Sequence, residues 1–492
     1  MCEYDVNARA MHTKLHDSQA DKCPVDKAGN AVETWRMQID PKDVSRPQFM
    51  VGVENGFLPR QDPLPALPER FKELESLLQR MPIVMANGQP GLLASGKFGE
   101  AVEKELPLYD LSDIEDTRLL AGLYRDYTFV ASAYLLEPCD LNYRTTKDYG
   151  LGRDRLPRNI AVPLATVAKK IGAKPFMEYA LSYSLYNYRR TDTTKPPDYP
   201  NLELIRAFGG TKSEHGFILV HVSMVRHSGA LVNGVLAVVD GASSNNRQAF
   251  NQGLVDVCST LSCINSVMES MWNRSRPSDY DQFRTFIMGT KNQPMFPHGV
   301  VYEGVSEEPT FFRGESGAND SMIPTIDNLL QLTLSLPENP LTSILRDFRS
   351  YRPTNHSEFV QWVEHQANRV NVRQFAEADP NSAVLYLKIV DGVRNFRSRH
   401  WNFTKEYILR YSSHPVATGG SPIVTWLPNQ LGAVLRVMQD VISKVNTSAL
   451  TEDNKAALND IAERVSEQRE ILDREVADLQ KRFPNQSQLA VV

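Results

Sequence analysis

Apolar side chains recur every three or four residues along most of the chain, which is the pattern of helices that bury one face. In the first part of the chain this pattern predicts helices over 71–81, 117–136, 163–170 and 175–188. After the Gly209-Gly210 pair it predicts longer helices over 214–239, 246–272, 323–335, 380–411, 426–446 and 452–482. Alternating strand patterns are scarce, and hairpin turn signals between apolar runs are absent. The sequence therefore predicts an all-α protein.

Shifts in polarity and proline content divide the chain into five segments. Residues 1–50 are polar and weakly periodic, which predicts an N-terminal tail. We expect a small helical domain over 51–190 and a connector over 191–213, because the polar stretch RRTDTTKPPDYPN favours irregular structure. A larger helical domain is predicted over 214–448, followed by an amphipathic helix and tail over 449–492.

The last predicted helix carries apolar residues at spacings close to a heptad repeat, and Gln468 interrupts them. These residues are Leu458, Ile461, Val465, Leu472, Val476 and Leu479. Two arrangements are compatible with this pattern: a helix packed on the large domain of its own chain, or a coiled coil with a partner chain. In the second arrangement the protein forms an oligomer through this helix.

The composition is that of a soluble globular protein: 492 residues, 41% hydrophobic and 23% charged. Lys and Arg number 54 against 59 Asp and Glu, a formal net charge of -5, so no general basic surface for nucleic acid is expected. The chain has no uninterrupted apolar run of the ~18–20 residues that span a membrane, and its N-terminus lacks the apolar core of a secretory signal. The five cysteines form no CxxC pair. We therefore expect a cytoplasmic protein that binds neither nucleic acid nor membranes.

A histidine lies on the apolar stripe of the helix predicted near residue 400. The stripe consists of Ile389, Val393, Phe396, His400, Phe403 and Tyr407. A histidine in such a place is usually a hydrogen-bonded core residue, but Arg397 lies one turn earlier. Heme needs both residue types, an imidazole for the iron and an arginine for a propionate. Because the chain has no CxxCH sequence, any heme would be held non-covalently.

A second histidine, His221, lies among apolar residues in the segment HGFILVHVSMVRHSGALV. An unpaired imidazole buried there would be costly. Two such histidines on separate helices of an all-α fold suggest an iron pocket with a proximal and a distal side.

Six separated segments of the chain carry further sequence motifs. They are LPRNIAVPLATVAKKIG (156–172), HGFILVHV (215–222), FRTFIMGTKNQPMFPHGVVYEGV (283–305), FRGESGANDSMIPTID (312–327), FRSRHWNFTKEYI (396–408) and ATGGS (417–421). Together and in this order, from about residue 55 to about residue 445, they resemble the indoleamine 2,3-dioxygenase family.

The resemblance implies a heme b enzyme with a small and a large helical domain, the heme lying in the large one. In that family ferrous iron binds O2, and both oxygen atoms enter the C2–C3 bond of the indole ring. L-Tryptophan then becomes N-formylkynurenine, the first step of the kynurenine pathway, and an electron donor keeps the iron ferrous.

By the same resemblance, several residues occupy positions that contact heme. His400 matches the proximal iron ligand and Arg397 the arginine that pairs with a heme propionate. Ser316 and Gly317 match the loop that covers the heme edge.

Other residues match positions that contact the substrate. Arg284 matches the arginine that binds the substrate carboxylate, a role suited to a planar guanidinium, and we expect it to act in catalysis with His221. The remaining matches are Tyr179 and Ser182 in the distal pocket, Phe217 and Tyr280 as pocket aromatics, and Thr418, Gly419 and Gly420 in a mobile glycine-rich loop that closes over the amino acid.

The chain departs from the family pattern at three places. His221 stands where the mammalian enzymes carry serine, and a distal histidine resembles the related tryptophan 2,3-dioxygenases. Asp279 replaces an aromatic residue, and Asn319-Asp320 replaces the usual Gln-Ser. Two alternatives therefore stand beside tryptophan cleavage: oxygenation of a tryptophan-derived or other aromatic metabolite, and non-catalytic O2 binding by a heme protein.

Overall fold

The computed structural model describes residues 31–37, 40, 43–332, 347–411 and 416–482. The predicted N-terminal tail is therefore described only in part. Residues 333–335 of one predicted helix and the end of the predicted C-terminal tail, residues 483–492, lie outside the described residues.

The first part of the described chain is built around one long buried helix. Its helices are α1 (Ala31–Arg36), α2 (Lys72–Arg80), α3 (Leu92–Ser95), α4 (Phe98–Glu105), α5 (Thr117–Thr146) and α6 (Arg158–Ile171). Asp116 immediately precedes helix α5, and its carboxylate accepts the amides of Arg118 and Leu119 and so caps the helix. Most residues of α5 are buried, and α4 and α6 pack against it.

The second part contains longer helices that pack side by side. They are α7 (Lys212–Val225), α8 (Ser228–Ser243), α9 (Arg247–Glu269), α10 (Met271–Arg274), α11 (Asp281–Arg284), α12 (Met322–Leu329), α13 (Thr354–Val370), α14 (Val372–Glu377), α15 (Pro380–Thr404), α16 (Ile423–Lys444) and α17 (Glu452–Arg482). Helix α9 packs on α8 and α15, and α16 packs on α15 and α17.

Strands contribute little to the described structure. They are β1 (Arg155–Leu156), β2 (Tyr188–Arg190), β3 (Leu202–Leu204) and β4 (Val301–Tyr302). Strand β1 pairs in parallel with β4, and β2 pairs antiparallel with β3. The all-α prediction is confirmed.

Two predicted helices differ from the structure. The prediction of a helix over 175–188 is wrong, because only a π-helical turn, Tyr179–Tyr183, forms there. The Ser182 hydroxyl accepts the Glu178 amide at 2.9 Å and donates to the Glu178 carbonyl at 2.8 Å, which competes with regular backbone pairing. The helix predicted over 214–239 is two helices, α7 and α8. At their junction the Ser228 hydroxyl donates to the Val225 carbonyl at 2.5 Å and accepts the Phe57 amide at 2.8 Å.

The segment predicted as an N-terminal tail includes packed residues. Trp35 of α1 lies edge-on to Phe359 of α13, with ring centroids 4.9 Å apart, and is buried. Phe49 is also buried, against Tyr186 and His356.

Helix α17 packs on α15 and α16 of its own chain. Its residues Leu458, Ile461, Val465 and Leu472 are buried. The structure therefore shows the first of the two arrangements expected for this helix, while an oligomer stays a prediction.

Helices α7 and α8 together form one stretch, Lys212–Ser243, long and apolar enough to cross a membrane. Its most apolar window is 72% buried inside the protein. This burial is typical of a core helix pair in a soluble protein.

Candidate functional site

A cavity lies between α7, α15 and the start of α16. The lining is mostly apolar and includes Met224, Phe396, Phe403 and Trp426. Its polar lining includes His221, Glu315, Ser316, Asp320, His400 and Thr418. A mainly apolar wall with a few polar groups is typical of a site that binds a flat organic molecule.

Both predicted histidines face this cavity, His221 from α7 and His400 from α15. Burial lowers the pKa of His400 to about 4. Burial, and to a smaller extent the repulsion that a protonated His400 would exert, lowers the pKa of His221 to about 4. Both imidazoles are therefore neutral at pH 7, which is the form that binds a metal or accepts a hydrogen bond.

The surroundings of His400 fit a residue that would bind heme iron. No described residue hydrogen-bonds its imidazole, although the residue is enclosed by the cavity lining. Nowhere in the described part of the chain do three His, Cys, Asp or Glu side chains group in a way that could hold a metal ion. A single imidazole beside a wide apolar cavity suits heme, whose porphyrin supplies the other ligands to iron.

Arg397 lies one turn before His400 but is not part of the cavity lining. Its guanidinium donates to the Asp327 carboxylate at 2.6 Å and to the Gln430 carbonyl at 3.3 Å. These contacts fix the head group close to the site. An arginine has five N–H donors, so this pairing leaves donors for a second carboxylate.

Aromatic rings form one wall of the cavity. The Phe217 ring lies 5.3 Å from that of Tyr280 and 5.4 Å from that of His221, centroid to centroid. Tyr280 in turn lies 5.8 Å from Tyr407. Such rings offer both edge and face contacts to a bound aromatic group.

Tyr179 and Ser182, the two predicted site residues in the π-helical turn, make different contacts, and neither is part of the cavity lining. The Tyr179 hydroxyl lies 3.2 Å from His221 Nδ1, so Tyr179 holds the His221 imidazole on the side away from the cavity lining. Ser182 hydrogen-bonds the backbone of its own turn.

Arg284 is fully buried at the end of α11 and lies behind the lining. Its guanidinium donates to the Tyr149 hydroxyl at 3.2 Å and to the Val416 carbonyl at 2.9 Å. It therefore holds the chain next to the predicted glycine-rich loop.

The segment 416–422 contains that loop and is closed, in the sense that it packs against other described residues. Thr418 lines the cavity, and its hydroxyl donates to the Glu315 carbonyl at 2.6 Å. Arg313 donates to the Gly419 carbonyl at 2.9 Å, and Gln293 donates to the Ala417 carbonyl at 2.8 Å. Thr418, Gly419 and Gly420 are buried. The loop thus forms part of the cavity wall.

Gly420 provides a direct test of this closed loop. Its φ is +82°, and an added Cβ would lie 2.4 Å from the Lys291 carbonyl oxygen. The left-handed strain alone costs about 1–2 kcal/mol. In Gly420→Ala we expect displacement of the loop and a roughly tenfold lower kcat/KM, since about 1.4 kcal/mol corresponds to a factor of ten.

Gly88→Ala is the matched control for this substitution, because Gly88 has φ +78° with nothing within 4 Å of an added Cβ. It should lower the thermal midpoint through the same strain and keep the activity. Equal activity of the two variants would contradict the role of the closed loop.

Asp279 does not enter the cavity. Its carboxylate accepts the Ser213 hydroxyl at 2.6 Å and the Ser278 hydroxyl at 3.1 Å. The departure from the family pattern at this position therefore places no carboxylate in the cavity lining.

Sequence reasoning missed several residues of the site, above all Glu315, a carboxyl group on the cavity wall. Its position next to Ser316, a predicted site residue in the FRGESGAND motif, could have indicated that Glu315 also belongs to the site. Met268, Met271 and Trp426 were also missed, because nothing in their local pattern separates them from ordinary core residues.

A helical fold with two neutral histidines facing one apolar cavity fits a heme-binding protein. The family model described as indoleamine 2,3-dioxygenase matches residues 45–424. The chain belongs to the indoleamine 2,3-dioxygenase family. It is accordingly a heme-dependent dioxygenase, of the class that acts on tryptophan-like indoles with O2. Helix α17 lies beyond the matched region.

Curated relatives show similarity over most of their length. Indoleamine 2,3-dioxygenase 1 of Rattus norvegicus is 26% identical over 76% of this chain and 88% of its own. Myoglobin of Haliotis madaka is 27% identical over 75% of this chain and 90% of its own. 6-Hydroxytryptophan 2,3-dioxygenase of Fusarium equiseti is 25% identical over 73% of this chain and 84% of its own.

Proposed function

We propose that the protein cleaves the C2–C3 bond of the indole ring of L-tryptophan with O2 to give N-formylkynurenine. The observation that carries the proposal is the aromatic wall of Phe217 and Tyr280 beside His221, in a cavity that His400 also faces. The relatives named indoleamine 2,3-dioxygenase support the same reaction.

Heme bound at this site would supply ferrous iron for the activation of O2. His400 would be the protein's ligand to that iron. Arg397 would pair with a heme propionate while Asp327 keeps its guanidinium in place. Ser316 and Gly317 would cover the heme edge, and the apolar lining would exclude water from the reacting atoms.

The substrate rests on the wall formed by Phe217 and Tyr280. Arg284 binds the substrate carboxylate, which requires its guanidinium to exchange the Val416 carbonyl for the ligand. Thr418 and Gly419 close over the amino acid. Tyr179 and Ser182 complete the distal side, and both act through neighbouring groups.

His221 accepts a hydrogen bond from the indole N–H. The tautomer that carries its proton on Nδ1 donates to the Tyr179 hydroxyl, 3.2 Å away, and leaves Nε2 free as the acceptor. This orients the indole against the reacting O2, and it is the catalytic role we assign to His221.

A ring-substituted or otherwise modified tryptophan is the second candidate substrate. The relative named 6-hydroxytryptophan 2,3-dioxygenase favours it. Relatives named myoglobin favour a third possibility, reversible O2 binding without product.

The test uses heme-loaded protein, a reductant, 18O2 and an equimolar mixture of L-tryptophan and 6-hydroxytryptophan. We expect N-formylkynurenine that carries two labelled atoms, at a rate well above that of the hydroxylated product. One labelled atom would indicate monooxygenation. A faster reaction of 6-hydroxytryptophan would favour the second candidate, and O2 uptake without any product would favour the third.

We further propose that the reaction is the first step of a kynurenine pathway in the cytoplasm, with a cellular electron donor that keeps the iron ferrous. The described cysteines support a reducing compartment, since Cys139, Cys258 and Cys263 are all free thiols.

A further inference from the structure

Glu315 is a buried carboxyl group that the roles assigned above do not use. It lines the cavity and is 3% exposed. No described residue donates a hydrogen bond to its carboxyl group or forms an ion pair with it. Burying a carboxylate without a partner is costly. A ligand is therefore the natural source of the missing partner.

Other buried carboxyl groups have protein partners. Asp126 pairs with Arg125 and Arg206. Glu214 accepts the Phe208 amide at 2.8 Å, and Asp320, which also lines the cavity, accepts the Ile323 amide at 3.1 Å. These groups stabilise the fold, whereas Glu315 faces the cavity without such a contact.

Glu315 faces the same cavity as the aromatic wall. It lines that cavity together with Phe217 and Tyr280. The carboxyl group therefore faces the space that an indole resting on the wall would occupy. Thr418, whose hydroxyl binds the Glu315 carbonyl, closes the cavity on this side.

A cation is the group that this position lacks. Burial raises the pKa of Glu315 to about 8, and no described residue supplies a positive charge that lowers it, so the group is largely protonated at pH 7 in the absence of a ligand. An ammonium group of a ligand would stabilise the carboxylate and supply three N–H donors. A neutral side chain on the indole would leave the charged form without a counter-charge, and an anionic one would oppose it.

We propose that Glu315 binds the protonated amine of the indole substrate, so that the site selects indoles with an amine on the side chain. The assignment rests on the proposed function, because it takes the same cavity as the indole site. It makes the amine a requirement for binding, with Arg284 serving the carboxylate where one is present.

The test compares Glu315→Gln with the wild-type protein, both heme-loaded, by titration calorimetry. The ligands are L-tryptophan, tryptamine, which has the amine alone, and indole-3-propionate, which has the carboxylate alone. We expect the dissociation constants of both amines to rise at least about tenfold in the variant, as when one partner of a buried charge pair is removed. Indole-3-propionate should bind equally well or more tightly.

Glu307→Gln is the matched control, because it removes one carboxylate from an exposed position in the same part of the chain. It should bind all three ligands as the wild-type protein does. Circular dichroism and an unchanged heme spectrum check that Glu315→Gln retains the fold.

Equal weakening of all three ligands, unchanged binding of both amines, or no amine binding by the wild-type protein would overturn the proposal. Failure of the proposed function can be distinguished from failure of the amine site. If the wild-type protein oxidises no indole but Glu315→Gln selectively loses binding of the amines, the amine site is supported and the proposed reaction is wrong. If L-tryptophan is cleaved and the variant binds the amines normally, only the role of Glu315 is wrong.

Discussion

Replacing His400 with alanine should abolish heme binding and with it all dioxygenase activity. The imidazole faces the cavity with no described hydrogen-bond partner, so its loss removes the proposed iron ligand without leaving a described partner unpaired. Changes around a metal site cost about 10–100-fold in affinity, and we expect loss of the ligand itself to cost at least about 100-fold. Heme titration followed by absorbance measures the effect.

Two further variants separate ligation from general damage to the fold. In His400→Gly, added imidazole should restore heme binding, because a free ligand can enter the space that the side chain left. His298→Ala, which alters an exposed histidine, should keep wild-type affinity. Normal heme affinity in His400→Ala together with its loss in His221→Ala would reverse the proximal and distal sides.

His400 was predictable because the signal is local. A polar residue spaced three or four positions from the apolar residues of a helix lies on the same face of that helix. The structure places both His400 and His221 in the lining of one cavity. Periodicity also predicted most of the long helices, because their apolar faces pack against one another.

Glu315 was not predictable in the same way. It lies in a polar motif without helical periodicity, and its burial depends on the segment 416–422, about a hundred residues further along the chain. The break between α7 and α8 has a similar origin, because the Ser228 hydroxyl binds the Phe57 amide from a distant segment. Long-range contacts of this kind leave no trace in local spacing.

The predicted connector, residues 191–213, also makes long-range contacts that its local sequence pattern did not predict. Its proline-bearing part favours irregular structure, yet it also contains β3 and the buried Arg206. Arg206 binds the Asp126 carboxylate at 2.8 Å and the Glu75 carboxylate at 2.5 Å. Two residues later, the Phe208 amide binds Glu214 in the first turn of α7, the helix that carries His221. The ion pairs thus help to fix the start of that helix.

Replacing Arg206 with methionine should lower the free energy of unfolding by about 3–5 kcal/mol, the cost of removing one partner from a buried ion pair. Burial raises the pKa of Asp126, but the charges of Arg125 and Arg206 outweigh it and hold that pKa below its ordinary value. A carboxyl group with a lowered pKa stabilises the fold above its unfolded pKa of about 4 and loses this contribution as the pH falls. The difference in the free energy of unfolding between variant and wild type should therefore have its full value at pH 7 and become smaller below about pH 4. Denaturant unfolding at both pH values measures it.

Arg189→Met is the control for this prediction, since it breaks the exposed pair with Glu203 in the neighbouring hairpin. Solvent screens that pair, so its loss should cost about 0–1 kcal/mol. Equal destabilisation by the two substitutions would mean that Arg206 contributes no more than a surface charge. A large loss confined to Arg206→Met, with faster heme release, would mean that the buried ion pairs hold α7 in the position that brings His221 to the cavity.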